Sequence, residues 1–123
     1  MAKNTFINQS EISHYLKDVR KRKVLTAARE KELAKLIQNP ETTPSVVAEV
    51  HKELLEGNLR FVISVAKDYQ GQGVDLPDLI NEGNYGLLKA VKNFDWNKGF
   101  RFISYAVWWV KQSILQCLNE NAR

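Results

Sequence analysis

Residues 94–119 read FDWNKGFRFISYAVWWVKQSILQCLN. Wound at about 100° per residue, this stretch sets Ile103, Val107, Val110, Ile114 and Leu118 on one stripe, an aliphatic face sufficient for packing. Phe102, Tyr105, Trp108 and Trp109, with Gln112 and Gln116, fall on the opposite side. The pattern predicts a helix from about Phe100 to Asn119. No segment of the chain shows the strict alternation of a half-buried strand, so the expected class is all-α.

Upstream, Pro40, Pro44 and Pro77 each fall where hydrophobic periodicity breaks, as proline does between helices. Ile12, Tyr15, Leu16 and Val19 predict a helix over 11–22; Leu33, Leu36 and Ile37 predict another over 26–38, opened by Thr26 and Glu30. After the turn cluster NPETTP, apolar positions from Val46 to Ala66 predict one long helix over 45–70, with Gly57 its weak point. GQGVDLP is a loop, and Asp75 or Pro77 opens the next helix through Leu79, Ile80, Leu87, Leu88 and Val91. Asn97, Lys98 and Gly99 mark a third turn. The expected architecture is an irregular antiparallel helical bundle, one compact domain with a basic N-terminal helical segment, 1–44, and a main unit, 45–123.

Composition narrows the function. The 123 residues carry a net charge of +4, with Arg20, Lys21, Arg22 and Lys23 in one run, which favours a polyanionic partner or forms a solvated helix end. Cys117 is the single cysteine and is read as a small packing residue. His14 and His51 have no neighbours at metal-ligand spacing, so neither a metal site nor a cofactor is expected. The N-terminal stretch MAKNTFINQSEIS has no apolar targeting region, and no stretch approaches the ~20 apolar residues of a membrane span; the expected location is the cytoplasm.

Residues 94–109 crowd seven aromatic side chains into sixteen positions. Two readings follow. Rings outside the core, beside glutamines and the cations Lys98, Arg101 and Lys111, form a face on which nucleobases stack. Alternatively, the rings pack under the N-terminal helices as a second core.

NLRFVISVAKDYQGQGVDLPDLINEGNYGLLKAVKNFDWNKGFRFISYAVWWVKQSI, residues 58–114, resembles region 2 of the sigma-70 family in its primary form, with DLINEG, GLLKAV, FD, KGFRFISYA and WWVKQSI in the family's order and spacing. ISHYLKDVRKRKVLTAAREKELAKLIQ more weakly resembles the family's region 1.2. The resemblance implies a sigma domain 2-like fold, with core RNA polymerase and promoter DNA as partners. Asp78, Asn81, Glu82, Asn84 and Leu88 match positions that dock on the clamp helices of the polymerase's largest subunit. Tyr105 matches the ring on which a flipped adenine of the minus-ten element stacks. Asp95, Lys98, Phe100, Phe102 and Gln112 match the pocket or its rim, and Trp108 with Trp109 the wedge at the upstream fork. Asn58 and Phe61 match a second pocket that takes the final thymine. Arg101, Lys111 and Gln116 complete the expected contacts to the non-template strand.

The sequence departs from the family pattern at Leu115 and Gln116, where Thr and Arg are frequent and face the last paired bases. Ile103 replaces a serine near the thymine pocket, and Asn97 and Lys98 replace two arginines, losing bidentate geometry. Arg20 stands where glycine is common; by the resemblance, the basic run touches DNA just after the minus-ten element. The family's later regions have no counterpart after Arg123, so the chain is expected to be a fragment or a naturally minimal factor that relies on core polymerase. An anti-sigma protein is a further partner the resemblance admits. The rival reading is an interaction module, an anti-sigma or polymerase-remodelling mimic, which keeps the DLINEG face and has no use for the aromatic pocket. An enzyme is not expected: there is no H-x-E with C-x-x-C, no carboxylate pair beside a candidate base and no glycine-rich phosphate loop.

Overall fold

The computed structural model describes residues 11–121; the stretch MAKNTFINQS, read above for a targeting segment, lies outside them. Six helices follow in order: α1 (Ile12–Lys21), α2 (Ala27–Gln38), α3 (Pro44–Glu56), α4 (Leu59–Lys67), α5 (Leu76–Asn93) and α6 (Phe102–Asn121). No strand occurs among the described residues, as the sequence predicts.

The helix ends follow local chemistry. Thr26 and Thr43 cap α2 and α3 by accepting from the N–H groups of Arg29 and Val46, each three residues on. Pro44 and Pro77 sit in the first turns of α3 and α5, where a missing N–H costs nothing. The single helix expected over 45–70 is two. At Gly57 a Cβ would lie 2.7 Å from the Leu25 Cβ, so glycine lets the α1–α2 linker pack into the break. Asn58 then turns its amide back to donate to the Leu54 carbonyl at 2.8 Å.

α5 packs against α6, α4 and α3, while α1 leans on α4 and α2 on α3. The α5–α6 contact is antiparallel: a Cβ at Gly86 would lie 2.5 Å from the Trp109 carbonyl oxygen and 2.8 Å from the Ser113 Oγ. At Gly83 it would meet Val62 Cγ1 at 2.7 Å, with Ile114 beyond. This close approach corrects the predicted face of α6. The buried stripe is Phe102, Ala106, Val110, Ser113, Ile114, Cys117 and Leu118, whereas Ile103 is exposed and Val107 half-buried. Small residues face α5 because α5 offers glycines, and a stripe chosen by hydrophobicity alone passes over Ala106 and Ser113.

Phe102, expected on the open aromatic face, is the largest fully buried side chain and belongs to the core. Burying it contributes about 1.5–3 kcal/mol. Gly86→Ala is expected to lower the unfolding free energy by about 1–3 kcal/mol, because the clashing atom is a backbone carbonyl that cannot swing aside. Urea denaturation followed by circular dichroism measures it.

Candidate nucleic-acid and polymerase interfaces

Phe94, just after α5, is the hub of a ring cluster. Its centroid lies 5.0 Å from Trp96, 6.2 Å from Phe100, 5.2 Å from Phe102 and 5.5 Å from Tyr105. Tyr105 continues to Trp109 at 6.3 Å, and Trp109 meets Trp108 edge to face at 5.3 Å. The rings form a ribbon, Phe100–Phe94–Tyr105–Trp109–Trp108. Its two ends are open, Phe100 49% and Trp108 58% exposed, and the rings between them are half-buried against the core. The ribbon thus has a buried edge, packed against the main core, and an open edge.

The ribbon is held at a fixed pitch. Tyr105 donates its hydroxyl to the Asn93 carbonyl at 3.3 Å, which ties α6 to the end of α5. Asp95 accepts from the Asn97 N–H at 3.0 Å, and Gly99 takes φ +82, closing the turn that carries Lys98 and Phe100. Lys98 and Lys111 are exposed and form no ion pair with a described residue. Beside Trp108 a cleft of ≈ 560 Å³ between α5 and α6 is lined by Lys89, Gln112, Leu115, Gln116 and Glu120. Gln116 is engaged there with Glu120 at 3.3 Å. The Trp109 Nε1–H is buried without an acceptor.

Several expected residues stand elsewhere. Asn58 is 7% exposed and donates its amide to the Leu54 carbonyl, and Phe61 is partly buried against the core. Arg101 is not a free cation: its Nε donates to Glu30 at 2.9 Å and a terminal nitrogen to the Leu25 carbonyl at 3.4 Å. Glu30 in turn is 7% exposed and accepts the Phe102 N–H at 2.6 Å. In sequence Glu30 reads as part of a helix start, and only the packing reveals this second role. Phe94 was visible in the aromatic run, but its place as hub depends on how α5 meets α6.

The outer face of α5 carries Asp78 and Glu82 one turn apart, followed by exposed Tyr85 with the Lys89 ammonium 4.4 Å above its ring. Asn81 and Leu88 are half-buried alongside. Asn84 turns inward instead and donates to the Tyr15 hydroxyl of α1 at 3.0 Å. Burial, then the nearby Glu120 carboxylate, raises the Glu82 pKa above its ordinary value. Burial likewise pushes the Cys117 thiol up, away from a reactive thiolate. Among the described residues no group of His, Cys, Asp and Glu could hold a metal ion, and no helix is long and apolar enough to cross a membrane.

Comparison with known proteins gives matches on both parts of the chain. A family model described as sigma-70 region 2 matches residues 54–123, and one described as sigma-70 factor, region 1.2, matches residues 12–39. The chain is 47% identical over 109 residues to an RNA polymerase sigma factor SigA from Bacillus sp, an alignment covering 89% of this chain and 27% of the relative. It is 44% identical to the SigA of Clostridium acetobutylicum, with the same coverage. Identity to the SigA of Listeria monocytogenes is 46%, over 89% of this chain and 28% of that protein. The chain thus spans about a quarter of the length of these curated relatives.

A carboxyl group with a raised pKa binds its proton more tightly folded than unfolded, so its ionisation opposes folding as the pH rises through the folded value. Glu82→Gln is therefore expected to raise the melting temperature at neutral pH. That gain should vanish as the pH falls below 4.5, Glu's ordinary value, where the group is protonated in both states. Calorimetry across this range checks the sign.

Proposed function

The chain belongs to the sigma-70 family, and on that premise we propose that it binds core RNA polymerase and captures unpaired bases of the promoter's minus-ten element, enabling transcription initiation. The observation that carries this reading is the ring ribbon, open at Phe100 and Trp108 and braced at Tyr105. Stacking on an aromatic ring contributes about 1–3 kcal/mol per base, so two or three platforms offset the few kcal/mol needed to extrude a base. The flipped adenine stacks on Tyr105, with Phe100 beside it, and Trp108 with Trp109 replaces the stacking lost at the upstream fork. Lys98 and Lys111 contact phosphates, while Gln112 and Gln116 reach base edges from the α5–α6 cleft.

Polymerase docks on the outer face of α5, where Asp78 and Glu82 meet a basic helical partner and Leu88 adds apolar contact. Neutralisation by that partner would relieve the unfavourable setting of Glu82. Asn84 supports the face through its bond to Tyr15. Residues 45–123 act as the core-binding and melting unit, with 1–44 attached as its basic arm. The SigA relatives support the primary, housekeeping form. In this reading the chain acts by binding alone and catalyses no step. An anti-sigma protein would compete for the α5 face.

A fluorescent single-stranded minus-ten oligonucleotide, titrated with the chain in the presence of core polymerase, tests the reading. Tyr105→Ala, or replacing the adenine at the element's second position, is expected to weaken binding roughly 5- to 150-fold, the equivalent of one stacking platform. Tight polymerase binding without base preference would instead favour the interaction-module reading.

A further inference from the structure

Asp78, Glu82, Tyr85 and Lys89 follow one another along α5 at spacings of four, three and four residues. At about 100° per residue they share a stripe about 60° wide on the outer face. Tyr85 joins neither the core nor the ring ribbon, and its ring is 53% exposed. The Lys89 ammonium stands 4.4 Å from the centroid of that ring. Neither Lys89 nor Glu82 forms an ion pair with a described residue, although Lys89 is near enough for its charge to act on the Glu82 carboxylate. The face of the ring therefore already holds a cation, with an unpaired carboxylate one turn away. An ammonium is a compact point charge, and here it caps the ring alone. A guanidinium is planar, so it can lie on an aromatic face and still offer a fork of N–H donors to a neighbouring carboxylate.

We propose that Tyr85 and Glu82 form a slot for an arginine of the polymerase's docking helix, and that Lys89 is a stand-in which this arginine displaces from the ring. The slot rests on the docking reading above and adds to it the chemistry of the partner and a contact residue, Tyr85. Exchange of one cation for another costs little in water, where an exposed cation–ring contact is weak. The contact strengthens once the docked helix excludes water from it. The incoming charge also meets a negative setting, since burial and the carboxylates of Glu120 and Asp78 all disfavour an ionised Glu82 in the free chain.

The test is the affinity of the full chain for core polymerase, read by competition against fluorescently labelled wild-type chain. Tyr85→Leu keeps apolar bulk and removes the cation-attracting face. It is expected to weaken binding about five- to thirtyfold, the range between an exposed and a desolvated cation–ring contact. Its melting temperature should not fall, because the ring packs against no part of the core. Tyr85→Phe keeps the face and should bind within about twofold of wild type. Lys89→Met removes the stand-in and is expected to tighten binding by a few-fold. In the Tyr85→Leu background that gain should shrink, because both substitutions then act on one contact. Wild-type affinity in Tyr85→Leu would overturn the slot, as would equal losses in the Leu and Phe variants. Weaker binding by Lys89→Met would also overturn it, since that lysine would then be a contact in its own right. If the wild-type chain does not bind core polymerase, the docking reading itself falls, and the slot with it.

Discussion

The close approach of α5 and α6 at Gly86 governs the rest of the structure. A side chain there would run into the backbone of Trp109, so the two helices meet at a separation only glycine allows. That contact fixes the rotation of α6 about its axis, and the rotation decides which side chains are core and which are surface. Phe102, Ala106, Val110 and Ser113 turn inward, while Trp108, Gln112 and Gln116 turn out. Tyr105 and Trp109 fall on the boundary, and Phe94 at the end of α5 reaches them there.

The same geometry separates two working surfaces on one helical hairpin. The outer face of α5 carries carboxylates and one cation-capped tyrosine, suited to a basic helical partner. The face built from the loop and α6 carries rings, amides and cations, suited to unpaired bases and phosphates. Each surface is held at some expense to stability. Glu82 is partly buried beside the Glu120 carboxylate, which raises its pKa, the Trp109 indole N–H is buried without an acceptor, and the rings of Tyr85, Phe100 and Trp108 stay open to water. In the proposed reading, such groups mark the places where contact with a partner outweighs stability.

The helical class, the two N-terminal helices, the cap at Thr26 and the helix start at Pro77 were legible because they depend on local spacing and local backbone chemistry. The break at Gly57 was legible only as a weakness, since its cause is the distant Leu25. The face of α6 was misread because periodicity ranks Ile103 and Val107 above Ala106 and Ser113, whereas a glycine-lined neighbour reverses that order. The resemblance named Asn58 and Asn84, and nearness to the rings named Arg101; that each also bonds within the molecule, to Leu54, Tyr15 and Glu30, depends on packing that no spacing along the chain shows. Conversely, Glu30 read only as part of a helix start; its bonds to Arg101 and Phe102 lie across the fold, which no window along the chain contains.

The claim on which everything else turns is that the open edge of the ring ribbon receives unpaired bases. Two-dimensional NMR of the labelled chain, titrated with a single-stranded minus-ten oligonucleotide, reads this directly through the Trp108 and Trp109 indole N–H signals. The account predicts large shifts there and around Phe100 and Tyr105, with the α3 amides unmoved. Shifts spread evenly over the basic surface, with the indole signals unchanged, would contradict it and reduce the interaction to phosphate contacts alone.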